Sequence, residues 1–145
     1  MERAFKRYEK DVQLVLYPFA LNPRSEIAVQ LALCAGEQGK FWDAHKMLYK
    51  HQSSWSSAPQ TLDALLKYSG ELGLDKTALE ACVDSGKMQP LVKADQEYPR
   101  SLQVRSTPTL FINNRRIVGA QSEAEIVRTI RQELARVRRA QQPSG

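Results

Sequence analysis

The clearest feature of the chain is a change in the period of its apolar positions. From Val12 to Leu21 the run VQLVLYPFAL is apolar and rich in β-branched and aromatic residues, which predicts a buried strand. Pro18 near its end is tolerated at a strand terminus or on an edge. Residues 2–10 before it read as the end of a helix. After the turn chemistry of NPRS, the apolar positions recur at helical spacing. Ser25 is placed to cap a helix whose stripe carries Ile27, Leu31 and Cys34. GEQGK interrupts that helix, and FWDAHKMLYKHQ continues as a second helical segment, with Phe41 and Leu48, and Trp42 and Tyr49, at helical spacings. SSWSSAP is rich in serine and predicts a loop. Pro59 suits the first turn of the next helix, whose apolar face is Leu62, Leu65, Leu66 and Leu72.

The second half repeats the helical pattern and then returns to strands. Asp75 is a good N-cap, with Leu74 and Leu79 as a hydrophobic staple. Leu79, Cys82 and Val83 share a face, and Gly86 ends the helix. Pro90 opens another helix, which Pro99 should break or kink. Two strands follow, Thr109–Asn113 and Arg116–Ala120, joined by a tight turn at Asn113 and Asn114. Ser122 with Glu125 reads as a capping box for a last helix striped by Ile126, Ile130, Leu134 and Val137. Residues 141–145 read as a frayed tail. Three strands among many helices make an α/β or α+β domain, residues 1–140, with no internal repeat or linker.

Composition narrows the function classes. The 145 residues are 42% hydrophobic and 26% charged, ordinary for one globular domain. No apolar run is long enough to span a membrane. No signal peptide is visible, because MERAFKRYEKD is polar, so the protein is cytoplasmic if that start is genuine. The net charge of +5 owes much to RTIRQELARVRR. An acidic partner such as nucleic acid, read through Arg115, Arg116 and the last helix, lacks aromatic–basic interleaving, so a solvated helix face is the better account. His45 and His51 are not spaced to share a helical face, and no metal or other cofactor is expected.

Four stretches together carry a resemblance. VQLVLYPFALNPRSEIAVQLALCAGEQGKFWDAHKMLYKHQ, LGLDKTALEACVDSGK, STPTLFINNRRIVGAQ and the closing helix are similar to the DsbA-like branch of the thioredoxin superfamily, a bacterial thiol–disulfide oxidoreductase family. The resemblance implies an α/β thioredoxin-like fold with a helical insertion at about residues 25–100. It implies that Pro108 is a cis-proline, and that Ser106, Thr107 and Pro108 form the loop that guides a polypeptide substrate or a redox partner protein. The family's catalytic Cys-X-X-Cys is absent here. The first residues match the back of the helix that carries it, so the dithiol, the front of that helix and the central strand before it are expected upstream of Met1, in a chain shortened at its N-terminus. As written, the chain is expected to be redox-inactive, with no catalytic residue.

Cys34 and Cys82 fall in the helical insertion, where family members often carry cysteines. Three alternatives stand for them: two buried free thiols, a structural disulfide between helices, or a reactive pair. Without the central strand, the strands at Val12–Phe19 and Thr109–Asn113 each lose a neighbour. They either close up and pair, capture another chain, or leave the domain prone to aggregate. A non-catalytic peptide-binding module, using the cis-proline loop and the exposed strand edge, is therefore the alternative function, with self-association through the open slot. The family is typically periplasmic or otherwise extracytoplasmic.

Overall fold

The structure is a computed structural model and describes residues 2–141. Its elements are α1 (Glu2–Arg7), α2 (Pro23–Glu37), α3 (Phe41–Lys50), α4 (Gln52–Ser57), α5 (Thr61–Ser69), α6 (Lys76–Asp84), α7 (Gln89–Ser101), β1 (Thr109–Ile112), β2 (Arg115–Val118) and α8 (Glu123–Gln141). A short 3-10 turn, Gly70–Leu72, follows α5. The chain divides into two compact units. One joins Met1–Leu16 to Leu102–Gly145, and the other is Tyr17–Ser101. Of the tail expected at 141–145, Gln141 still belongs to α8, and the rest lies outside the described residues.

The Tyr17–Ser101 unit is all helical among the described residues. Its core gathers Leu31 and Ala35 of α2, Met47 and Leu48 of α3, Leu65 and Leu66 of α5, and Leu79 and Val83 of α6. Removing such side chains from water is the main favourable term in folding. Asp75 caps α6 as expected, its carboxylate accepting from the Ala78 N–H at 3.0 Å. Gln38, just past α2, clamps the start of α6: its amide oxygen accepts from the Asp75 N–H at 2.9 Å, and its amide nitrogen donates to the Asp75 carbonyl at 3.2 Å.

Three local expectations need correction in this unit. Asn22, not Ser25, caps α2, accepting from the Ser25 N–H at 3.0 Å, because Pro23 fits the first helical position and moves the start upstream. The Ser-rich stretch is a helix, α4, because Trp55 is buried and its indole N–H donates to the Leu48 carbonyl at 2.7 Å. That anchor outweighs the weak helix propensity of the serines. Pro99 does not end α7. It lies in the last turn, where only one intrahelical bond is forfeited and the residue itself is buried.

The other unit carries the sheet. β1 and β2 pair antiparallel, with Leu110 opposite Ile117 and Phe111 opposite Arg116. Asn113 at the turn is left-handed (φ 52°), a conformation asparagine tolerates. α8 backs the hairpin: Ile126, Val127 and Ile130 pack with Ile112 of β1 and Ala4 of α1. The Ser122 half of the capping box forms, with Ser122 Oγ accepting from the Glu125 N–H at 3.2 Å.

The expected strand at Val12–Phe19 is not a strand, so among the described residues the sheet has two strands where three were expected. The segment is nevertheless strand-like in exposure. Val12, Leu14 and Leu16 are half-buried, while Gln13, Val15 and Tyr17 are exposed. Side-chain alternation follows from extended backbone alone, but a ladder needs a neighbouring strand. Among the described residues, no backbone–backbone hydrogen bond involves Gln13–Leu21.

Candidate functional site

Ser106, Thr107 and Pro108 come together as one exposed loop at the head of β1. The Thr107–Pro108 peptide bond is cis. The loop is pinned on both sides of Thr107. Thr109 Oγ1 donates to the Ser106 carbonyl at 2.7 Å, and the Gly119 N–H donates to the Pro108 carbonyl at 2.8 Å. Gly119 has φ 84°, a conformation that disfavours any larger residue. Thr107 itself enters no backbone–backbone hydrogen bond among the described residues. A fixed loop that presents an unpaired N–H and C=O to solvent can bond an extended chain laid beside it.

Cys34 and Cys82 are joined in a disulfide with Cα atoms 6.0 Å apart. It links α2 to α6 inside the helical unit, and the two residues are 1% and 7% exposed. Buried and bonded to each other, they lack the exposed thiolate that exchange chemistry needs. Both cysteines of the chain are thereby accounted for.

The histidines serve packing. His51 stacks on Tyr68, ring centroids 3.9 Å apart, with Nε2 3.8 Å from a Glu71 carboxylate oxygen. His45 packs against Phe41 and Tyr49 along α3. Among the described residues, no group of three His, Cys, Asp or Glu side chains could hold a metal ion. Arg115 and Arg116 are engaged internally. Arg115 donates to the Gln132 side chain, while Arg116 donates to the Leu102 carbonyl and lies over the Phe111 ring.

Glu133 is a site residue that the sequence motifs did not suggest. This residue is buried on α8 and supports the hairpin, its carboxylate accepting from the Asn113 amide at 3.1 Å and from Arg136 at 2.9–3.0 Å. The Asn113 hydrogen bond, followed by that of Arg136, holds the Glu133 carboxyl below its ordinary value. A signal was present: Glu133 lies three residues after Ile130 and seven after Ile126, inside the apolar stripe.

The family model described as thioredoxin matches residues 3–132. Among curated relatives, a Na(+)/H(+) antiporter NhaA 1 from Salinispora arenicola is 30% identical over 100 residues, which is 69% of this chain and 15% of that protein. An NhaA 3 antiporter from Salinispora tropica is 30% identical over 99 residues, 68% of this chain and 14% of that protein. An NhaA antiporter from Herminiimonas arsenicoxydans is 27% identical over 110 residues, covering 76% and 17%. The chain thus spans less than a fifth of the length of these relatives. Among the described residues, no helix is long and apolar enough to cross a membrane. With nearly its whole length matched, the chain belongs to the thioredoxin family, whose chemistry is disulfide-related.

Proposed function

We propose that this chain is the polypeptide-holding part of a DsbA-like thiol–disulfide exchange protein. The loop Ser106–Pro108 receives an extended substrate or redox partner, which pairs with the Thr107 backbone as an added strand. The observation that carries this reading is the pinned, exposed loop with Thr107 unpaired. The chain's own cysteines are locked in a buried bond, so it binds polypeptide without exchanging disulfides. A buried structural disulfide also suits an oxidising, extracytoplasmic compartment. The test is hydrogen exchange with and without a reduced, carboxymethylated polypeptide. Protection is expected at the Thr107 amide and along β1. No new protection there sinks the reading. Insulin reduction that survives Cys34→Ser with Cys82→Ser would overturn the redox-inactive clause.

A second reading rests on Val12–Ala20. Its alternating exposure without a ladder supports a binding module, or self-association, through an open strand edge. On that reading Val15→Lys abolishes a concentration-dependent dimer in sedimentation equilibrium. A wild-type monomer at all concentrations excludes self-association.

A further inference from the structure

The excess of positive charge lies in one unit. Met1–Leu16 with Leu102–Gly145 carries 12 Lys and Arg against 6 Asp and Glu, whereas Tyr17–Ser101 carries 9 against 10. Part of the excess lines a groove of about 600 Å³ between α1 and α8. Arg7 enters it from α1, and Arg128, Arg131 and Gln132 from α8, with Ala124 and Val127 as its apolar lining. Positions 124, 127, 128 and 131 share one helical face, so the helix itself brings two of the guanidiniums together.

The three arginines are not equally occupied. Arg131 Nε donates to the Tyr8 hydroxyl at 2.8 Å, which fixes the guanidinium plane and leaves both Nη groups without a hydrogen bond among the described residues. Arg7 has no ion pair or hydrogen bond among those residues. Arg128 has only an exposed contact with Glu125 at 3.5 Å, and such pairs are weak. Among the described residues the lining carries the carboxylate of Glu123, which Arg3 matches at 3.2 Å. Like charges gathered in this way repel, and an anion seated among them relieves the repulsion.

We propose that this groove is a phosphate-binding site. A phosphate offers several strong acceptors to guanidinium forks, the pairing that arginine favours over lysine. The groove has room for a phosphate-bearing group, and among the described residues its lining has no aromatic face on which bases would stack, which disfavours single-stranded nucleic acid. The phosphate is that of a soluble phosphate compound or of a lipid headgroup.

The test has two arms on the full chain. The first is an NMR titration with inorganic phosphate at constant ionic strength. The second is co-sedimentation with vesicles of phosphatidylglycerol and phosphatidylcholine, against phosphatidylcholine alone. Saturable shifts at the Arg7 and Arg131 side chains assign a soluble ligand. Binding only to the phosphatidylglycerol vesicles assigns a headgroup. In either arm Arg131→Gln and Arg7→Gln should each weaken binding about tenfold or more, the loss of a charge-assisted contact. Arg131→Lys should restore part of it, and Arg139→Gln, outside the groove, should change little. Circular dichroism checks that each variant folds. The proposal is overturned if neither probe binds, or if Arg131→Gln binds as the wild type does. It is equally overturned if an oligonucleotide alone binds and loses as much at Arg139 as at Arg131.

Discussion

The two units solve the same folding problem with different means. Tyr17–Ser101 buries 15 residues in one apolar cluster and adds a disulfide, with nearly balanced charge. Among the described residues, the unit formed by Met1–Leu16 and Leu102–Gly145 buries five in its cluster and adds a two-stranded sheet, and this unit holds the excess of positive charge. Each candidate binding feature falls in or begins in the second: the Ser106–Pro108 loop, the Val12–Ala20 segment without a ladder and the arginine groove. Backbone groups left for a partner, and charges left for an anion, are groups that do not hold the unit itself together.

The largest test of this contrast is the disulfide. It closes a loop of 48 residues, and its loss should cost about 4 kcal/mol on the chain-entropy account. Cys34→Ala with Cys82→Ala should lower the urea midpoint and strip hydrogen-exchange protection from α2 and α6. Equal loss of protection in α8 would show that the two units unfold as one.

Ile130→Ala is the counterpart in the small core. Ile130 is 1% exposed, and truncation should cost about 3 kcal/mol, the middle of the range for large-to-small changes. Protection should vanish in β1, β2 and α8 while α2 and α5 keep theirs. Persistence of protection in the hairpin would mean that it does not depend on α8.

Asp75→Ala should remove the α6 cap for about 1 kcal/mol, read as a shift in the urea midpoint. The smallest effect concerns acid. Glu133 titrates below its ordinary value of 4.5 in the folded protein, held there by Asn113 and Arg136. A depressed folded value contributes stability above 4.5 that fades as the pH falls through the lower folded value. Wild type should therefore exceed Glu133→Gln in urea midpoint at pH 7, and the gap should close as the pH is taken well below 4.5. A gap that is constant with pH would assign Glu133 a packing role alone.

Local rules carried much of the fold. The stripe at Leu79, Cys82 and Val83, the Asp75 cap, the Ser122–Glu125 box and the hairpin at Asn113 were legible because each rests on contacts between residues close in sequence. α4 was not legible, because its anchor is one indole reaching back to the Leu48 carbonyl. Glu133 was not recognised, because its partner Asn113 is twenty residues away and comes alongside only when the hairpin docks on α8.

The candidate site divides the same way. The resemblance carried by STPTLFINNRRIVGAQ implied the loop Ser106, Thr107 and Pro108, and the sequence by itself shows that this chain has no Cys-X-X-Cys. From the apolar, β-branched run Val12–Leu21 it predicted a buried strand, of which the structure keeps only the alternating exposure of Val12–Tyr17. Only the tertiary structure decided that Cys34 and Cys82 are bonded, because that depends on α2 lying beside α6. Only the tertiary structure decided that Val12–Ala20 forms no ladder, because a strand is completed by its neighbour and not by its own sequence.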